Sequence, residues 1–315
     1  MGGSSSNSAL RIIVLRGGAL GDIILTLPVL RALRGFYPRC FITLAAPFPQ
    51  AKLAHGEYAD RVLDLNSATF VGLFDPAAAI ADEIREDLTA DLILSYLSDP
   101  AGIARNSLLG WHGRNTRFIE GPFKLDRERW PAVEQLAQPL HDLGIPLIDP
   151  IPRLTACLAT PHVNRLAIHP GSGSLKKNWP LNRWAELLAI LTPAFDEVLL
   201  ISGEADAAAA EALRATIPAN KLRPCANRPL WDLVSELSRG KLFIGHDSGV
   251  THVAAATGIR TVALFGPTDP LIWSPNGDQV TVIQSPDQTM TGLSVETVLD
   301  ALGVGPTNTN SLTNP

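Results

Sequence analysis

The sequence predicts an α/β protein made of two Rossmann-like, doubly wound domains. Three observations carry this reading. The chain has 315 residues, 46% hydrophobic and 18% charged. Short β-branched runs alternate with amphipathic stretches in both halves, and a proline-rich joint separates them. At roughly 100–200 residues per domain the length suits two cores. Continuous apolar strands separated by helices imply parallel sheets covered on both faces.

The elements follow in order. Residues 1–9 form a polar Gly/Ser-rich leader, expected to be disordered. LRIIVLR (Leu10–Arg16) reads as a buried strand, and DIILTLPVLRALRGFY (Asp22–Tyr37) as a helix with Pro28 in its second turn. CFITLAA (Cys40–Ala46), RVLDL (Arg61–Leu65) and DLILSYL (Asp91–Leu97) continue as strands, with a helix at Pro76–Leu88. Pro146, Pro150, Pro152 and Pro161 then crowd together and disfavour regular structure. The boundary is placed there, giving a first domain at 10–152, a second at 153–303 and a polar, disordered tail at 304–315. In the second domain, strands are expected at Arg165–His169, Glu197–Ser202, Lys241–Gly245 and Thr261–Phe265. Helices are expected at Leu181–Leu191, Ala205–Thr216, Leu230–Ser238, Gly249–Thr257 and near Ser294–Leu302. Two such domains would leave a central cleft facing the carboxyl ends of both sheets, where open α/β sheets place ligands.

Composition excludes several classes. Lys and Arg number 26 against 31 Asp and Glu, a net charge of −5. Nucleic acid is therefore not the expected partner, since phosphate neutralisation needs a basic face. The three cysteines, Cys40, Cys157 and Cys225, are far apart and fit neither a disulfide framework nor a zinc site. No run approaches the roughly 18 apolar residues of a spanning helix. The expected location is the cytoplasm, with at most peripheral contact at the inner face of the cell membrane.

Three strand-end loops carry chemistry. RGGALGD (Arg16–Asp22) turns on Gly17, Gly18 and Gly21 and ends on Asp22, at a helix start where a carboxylate can cap free N–H groups. A plain glycine turn with an aspartate cap explains these residues equally well. The spacing is not the GxGxxG of dinucleotide sites, so NAD is disfavoured. HPGSGSLKKNWP (His169–Pro180) sets Ser172, Gly173, Ser174 and Lys177 before a helix, a metal-free diphosphate cradle or else a solvated loop with two lysines. Trp179 suggests a loop pinned into the core. GHDSGVTHVAAATG (Gly245–Gly258) places Asp247 or Ser248 as a helix cap, aims the amides of Ser248, Gly249 and Val250 at an anion, and puts His252 in the first turn. His246, Asp247 and His252 lack the three- or four-residue histidine spacing of a helical metal site, so no metal is expected. FGPTDP (Phe265–Pro270) turns after the next strand.

RGGALGDIILTLPVLRAL, HPGSG…KNWP and GHDSGVTHVAAATGIRTVALFGPTDP together resemble the signature blocks of glycosyltransferase family 9, the heptosyltransferases of lipopolysaccharide inner-core synthesis. The likeness runs from about Leu10 to Leu302. It implies the GT-B fold, with acceptor on the N-terminal domain, nucleotide-sugar donor on the C-terminal one, and the last helix packing back on the first domain. It also implies Asp22 as general base and Lys177 on donor phosphate, with Ser172, Gly173 and Ser174 in that loop. Asp247, Ser248, Gly249 and His252 would hold diphosphate and sugar, with Arg228 near the nucleobase. No cofactor is implied; the donor is a substrate, ADP-linked by resemblance.

The acceptor side is read from ARNSLLGWHGRNTRFIEGPFKLDRERW (Ala104–Trp130). Gly18, Arg105, Arg114 and Arg117 are candidates for an acidic glycan or lipid-linked acceptor, against a solvated loop with internal ion pairs. Gly18 stands where many family members have a hydroxyl residue, and Leu25–Thr26 where they have histidine and threonine, which opens the identity of the sugar. Three functions follow: an inverting, metal-independent sugar transferase; another GT-B nucleotide-sugar enzyme such as a 2-epimerase; or a catalytically silent nucleotide-sugar binder.

Overall fold

A computed structural model of the chain describes residues 9–75, 77–78, 82–112, 116–126, 130–155 and 161–304. They divide into two compact units, one running to Asp126 and resuming at Ala132–Pro150, the other from Ile151 onward. The leader, most of the tail, Arg114 and Cys157 lie outside the described residues.

The first unit is a parallel sheet of β1 (Arg11–Leu15), β2 (Phe41–Ala46), β3 (Arg61–Asp64), β4 (Leu92–Ser95) and β5 (Arg117–Glu120) in the order β3-β2-β1-β4-β5. β1 is central: Ile13 registers with Thr43 on one side and Ile93 on the other. Its residues Ile12–Leu15 are buried on both faces, which is why the strand reads as an unbroken apolar run. The following helix, Leu20–Phe36, buries every residue from Ile23 to Leu30. A helix apolar all round is a core helix, and Pro28 is tolerated within it. Ile13, Leu15, Phe70, Leu73, Leu88 and Leu108 form a core on the sheet.

The second unit contains β6 (Arg165–His169), β7 (Glu197–Ser202), β8 (Leu222–Ala226), β9 (Leu242–His246), β10 (Arg260–Phe265) and β11 (Val280–Gln284), all parallel, in the order β11-β10-β9-β6-β7-β8. Both units follow the doubly wound order in which the first strand lies between the second and the fourth. Trp179, Trp184, Leu188, Phe195, Leu200 and Val298 share one core. The last described helix, Val295–Leu302, caps on Ser294 and ends at Gly303 with φ 75°. Its buried face, Val295, Val298 and Leu302, belongs to this second core.

Three strands absent from the sequence reading, β5, β8 and β11, are all sheet edges. Pro224 sits in β8, tolerated at an edge because that strand pairs on one side. The segment 104–130, weighed as an acceptor site or a solvated loop, includes most of the helix Ile103–His112 and all of β5. Of the helix expected at Pro76–Leu88, the described portion is one turn, Asp82–Arg85.

Among the described residues no helix is long and apolar enough to cross a membrane.

Candidate functional site

In a doubly wound sheet the chain reverses its direction of travel between the first and fourth strands, and loops leaving their carboxyl ends splay apart to admit a ligand. These switch points lie between β1 and β4 in the first unit and between β6 and β9 in the second. Each holds a polar cluster.

In the first unit the cluster is built on Arg16, one residue past β1 and 3% exposed. Its Nη2 lies 2.8 Å from Asp22 Oδ1, and its Nε donates to Thr26 Oγ1 at 3.1 Å. Thr26 Oγ1 donates in turn to the Asp22 carbonyl at 2.8 Å. The guanidinium also lies over the Tyr96 ring, 5.7 Å from its centroid. Burial pulls the Arg16 pKa below its ordinary value, against the raising effect of the Asp22 charge. Burial pushes the Tyr96 phenol well up, and its hydroxyl donates to Leu136 O at 2.6 Å. Asp22 Oδ2 accepts the Ala19 N–H at 2.8 Å. Asp22 therefore caps its own helix, as the plain reading had it, and is also aimed by a buried cation.

The Asp22 side chain is 29% exposed. Each carboxylate oxygen keeps a lone pair beyond these bonds, so the group can still accept a proton from an incoming hydroxyl. Gly18 adopts φ +101°, and a Cβ there would lie 2.5 Å from Asp22 Oδ2. Its role in this structure is to make room for the carboxylate, not to supply a contact of its own. Gly18→Ala is expected to cost about 1–3 kcal/mol through left-handed strain and to displace Asp22. Chemical denaturation and turnover, measured together, should both fall; an unchanged denaturation midpoint would contradict this.

Beside this cluster a recess of about 200 Å³ opens at the carboxyl ends of β4 and β5, lined by Ser95, Ser98, Asp99, Phe118, Glu120 and Phe123. Arg105 stands over the Phe118 ring at 5.8 Å, with Nε 3.8 Å from Glu120 Oε1, so this candidate reaches the edge. Arg117 does not. It begins β5, at the amino edge of the sheet, where its Nη2 donates to Asp142 O at 2.5 Å. Among the described residues this recess sets two carboxylates, Asp99 and Glu120, against the one guanidinium of Arg105.

The second cluster joins two loops. Because β6 and β9 are hydrogen-bonded neighbours, the loops after them meet, and Lys177 Nζ pairs with Asp247 Oδ2 at 2.9 Å. Ser248 caps the helix Gly249–Thr257, its Oγ accepting the Thr251 N–H at 3.4 Å. The first turn of that helix carries the positive end of the helix dipole, the kind of terminus at which anions bind. His252 is 5% exposed in the same turn. Ser172 Oγ lies 2.6 Å from Asn178 Oδ1 and 2.8 Å from Ser174 O, and so braces the 172–178 loop from within. A Cβ on Gly173 would meet nothing within 4 Å. Trp179 is 1% exposed, and its indole N–H donates to Leu293 O at 2.9 Å, which pins the loop as expected. Arg228 follows β8, two strands from β6, and lines a groove of about 600 Å³ with Arg165, Arg223, Cys225 and Asp232.

Three polar groups beneath this cluster, His246, His169 and Asp206, were given no role by the sequence reading, which weighed His246 only as a metal ligand. His246, the last residue of β9, is fully buried; its Nε2 accepts the Trp179 N–H at 2.9 Å. Nδ1 therefore carries the proton and donates to Gly171 O at 3.3 Å. Burial lowers the His246 pKa to about 3, with His169 adding to the effect. His169 Nε2 lies 2.8 Å from Asp206 Oδ2, and its Nδ1 is 3.4 Å from Ser248 Oγ. Burial raises the Asp206 pKa, but the contact with His169 and the Gly203 N–H outweigh it and leave the carboxyl below its usual range. The available signal was position: His169 and His246 end apolar strands.

His246 makes stability acid-sensitive. Its folded pKa lies below the ordinary 6.5, so the unfolded state binds the proton more readily. Stability should be complete above pH 6.5 and fall towards pH 3, with the unfolding constant rising up to about tenfold per pH unit. Urea midpoints across that window should flatten in His246→Gln; an equally steep wild-type and variant profile would assign the effect elsewhere.

Among the described residues no three His, Cys, Asp or Glu side chains group as metal ligands.

Comparison with known proteins gives four findings. Residues 152–302 match the model of glycosyltransferase family 9 (heptosyltransferase). Lipopolysaccharide heptosyltransferase 2 of Escherichia coli K12 is 26% identical over 313 residues, 87% of this chain and 88% of that protein. Lipooligosaccharide heptosyltransferase 2 of Haemophilus influenzae is 21% identical over 306 residues, with the same shares covered. The solved structure of E. coli ADP-heptose LPS heptosyltransferase II superposes with a TM-score of 0.74 at 21% identity, covering 93% of this chain and 98% of that one. The fold class is the expected GT-B one of two Rossmann-like parallel-sheet domains.

Proposed function

We propose, from a chain whose residues 152–302 belong to glycosyltransferase family 9, that it is an inverting, metal-independent transferase. It moves a heptose from an ADP-linked donor to a saccharide or lipid-linked glycan. The observation that carries this reading is the convergence of Lys177, Asp247, Ser248 and a helix N-terminus at the β6/β9 switch point.

The donor diphosphate binds at the amides of Ser248, Gly249 and Val250, with Lys177 exchanging part of its contact with Asp247 for phosphate oxygen. Arg228 serves the nucleoside end. Asp22 takes the proton of the acceptor hydroxyl as that oxygen attacks the anomeric carbon, and the bond to the diphosphate breaks on the opposite face. Negative charge then arrives on the leaving phosphate. Lys177, the helix start and His252 stabilise it, the task a divalent cation performs elsewhere. Asp99, Glu120 and Phe118 suit the hydroxyls and apolar face of a sugar ring in the acceptor. The protein works from the cytoplasmic side, in peripheral contact with the membrane that carries the acceptor.

The test supplies purified protein with ADP-, GDP- and UDP-sugars and a lipid-linked core oligosaccharide, with and without EDTA. Nucleoside diphosphate released only when donor and acceptor are both present, and unaffected by EDTA, is the expected result. Release without acceptor, or epimerised donor, would favour another nucleotide-sugar enzyme. Binding without turnover would favour a silent binder.

A further inference from the structure

We propose that His169, held by Asp206, sets the direction of the Ser248 hydroxyl, so that a diphosphate at the start of helix Gly249–Thr257 binds together with a proton on His169. The proposal rests on the donor reading above and adds to it a coupled proton and two residues, His169 and Asp206, that position rather than touch the ligand.

The argument is one of donors and acceptors. His169 Nε2 faces a carboxylate oxygen at 2.8 Å, and both side chains are more than nine-tenths buried. That nitrogen therefore carries hydrogen in either charge state. Only Nδ1 changes, and it faces Ser248 Oγ at 3.4 Å. When His169 is neutral, Nδ1 is an acceptor and draws the hydroxyl hydrogen of Ser248 inward. The serine then shows lone pairs to an incoming phosphate. When His169 is charged, Nδ1–H donates to Ser248 Oγ, and the hydroxyl hydrogen is freed. Among the described residues its alternative is Thr251 Oγ1 at 3.2 Å, which spends its own hydrogen on His246 O. A phosphate oxygen, carrying more charge than a threonine hydroxyl, is the better acceptor.

The charged form also places a cation beneath the helix start. The groups facing His169 are Asp206 after β7, Ser248 at the helix start and His246 at the end of β9. His246 is held neutral by its burial, so it does not oppose a proton on His169. Gly171 belongs to the same arrangement: a Cβ there would lie 2.2 Å from Asp206 Oδ2.

The test is titration calorimetry with inorganic pyrophosphate and with ADP, in paired buffers of different ionisation enthalpy, for wild type, His169→Gln and Asp206→Asn. Melting curves identify variants that fold. Wild type is expected to take up more protons on binding than His169→Gln. Its affinity advantage over the variant should shrink as pH rises, by up to about tenfold per pH unit. Asp206→Asn, which keeps the imidazole, should shift proton uptake to lower pH and supplies the result if His169→Gln fails to fold. Equal proton uptake by wild type and the variants, with binding intact, would overturn the proposal and leave a purely structural pair. Failure of wild type to bind either probe would instead remove the donor reading itself.

Discussion

Asp22→Asn is expected to lower turnover by about 10²–10⁴-fold, the usual contribution of a positioned general base, with donor affinity unchanged. The amide keeps an oxygen for the Ala19 N–H but loses its proton affinity. It also leaves the Arg16 guanidinium, 4% exposed, without a carboxylate. Breaking a fully buried pair costs about 3–5 kcal/mol; Asp22 is 29% exposed, so solvent screens part of that and the loss should be smaller. Melting curves alongside steady-state kinetics separate the two effects. A folded variant that binds ADP but does not transfer is the expected outcome, and wild-type turnover would remove Asp22 as the base.

Trp179→Ala should have the largest effect on stability. The indole is 1% exposed, packs edge-on to Trp184 at 5.4 Å between centroids, and spends its N–H on Leu293 O. Truncating a buried tryptophan costs about 3–5 kcal/mol. At roughly 2–4 °C per kcal/mol for a domain of this size, the transition of the second unit should fall by about 6–20 °C. The backbone N–H of the same residue holds His246 Nε2, so the 172–178 loop loosens and ADP affinity falls with stability. Trp179→Phe should recover part of the packing but not the bond to Leu293. Calorimetric scanning with and without ADP checks both; an unshifted transition would mean the indole does not anchor the loop.

The central strands were legible because their chemistry is one-dimensional. β1, β6 and β9 are buried on both faces, and IIVL, RLAIH and LFIGH stand out as apolar runs. The edge strands were not: in β8 only Cys225 is buried, and in β11 only Ile283. Half-buried strands of five residues look like the loops beside them. The site divides the same way. Asp22, Lys177, Asp247 and Ser248 follow glycine-rich turns at strand ends, where local spacing marks a ligand loop. Arg16 pairs with Asp22 only 6 residues on, but His169 acts through Asp206 and Ser248, 37 and 79 residues away, pairings that only the sheet order creates. Arg117 shows the converse error. Its charge drew attention, but its place at the start of β5 sets it at the wrong edge of the sheet.

The anomeric configuration of the product tests the account most directly. Asp22 acting as the proposed base on the acceptor hydroxyl requires a single displacement at the anomeric carbon. Proton NMR of the glycan formed from a donor of defined anomeric configuration should therefore show inversion at the transferred sugar. Retention of the donor's configuration would contradict the assignment of Asp22 as a base acting in one step.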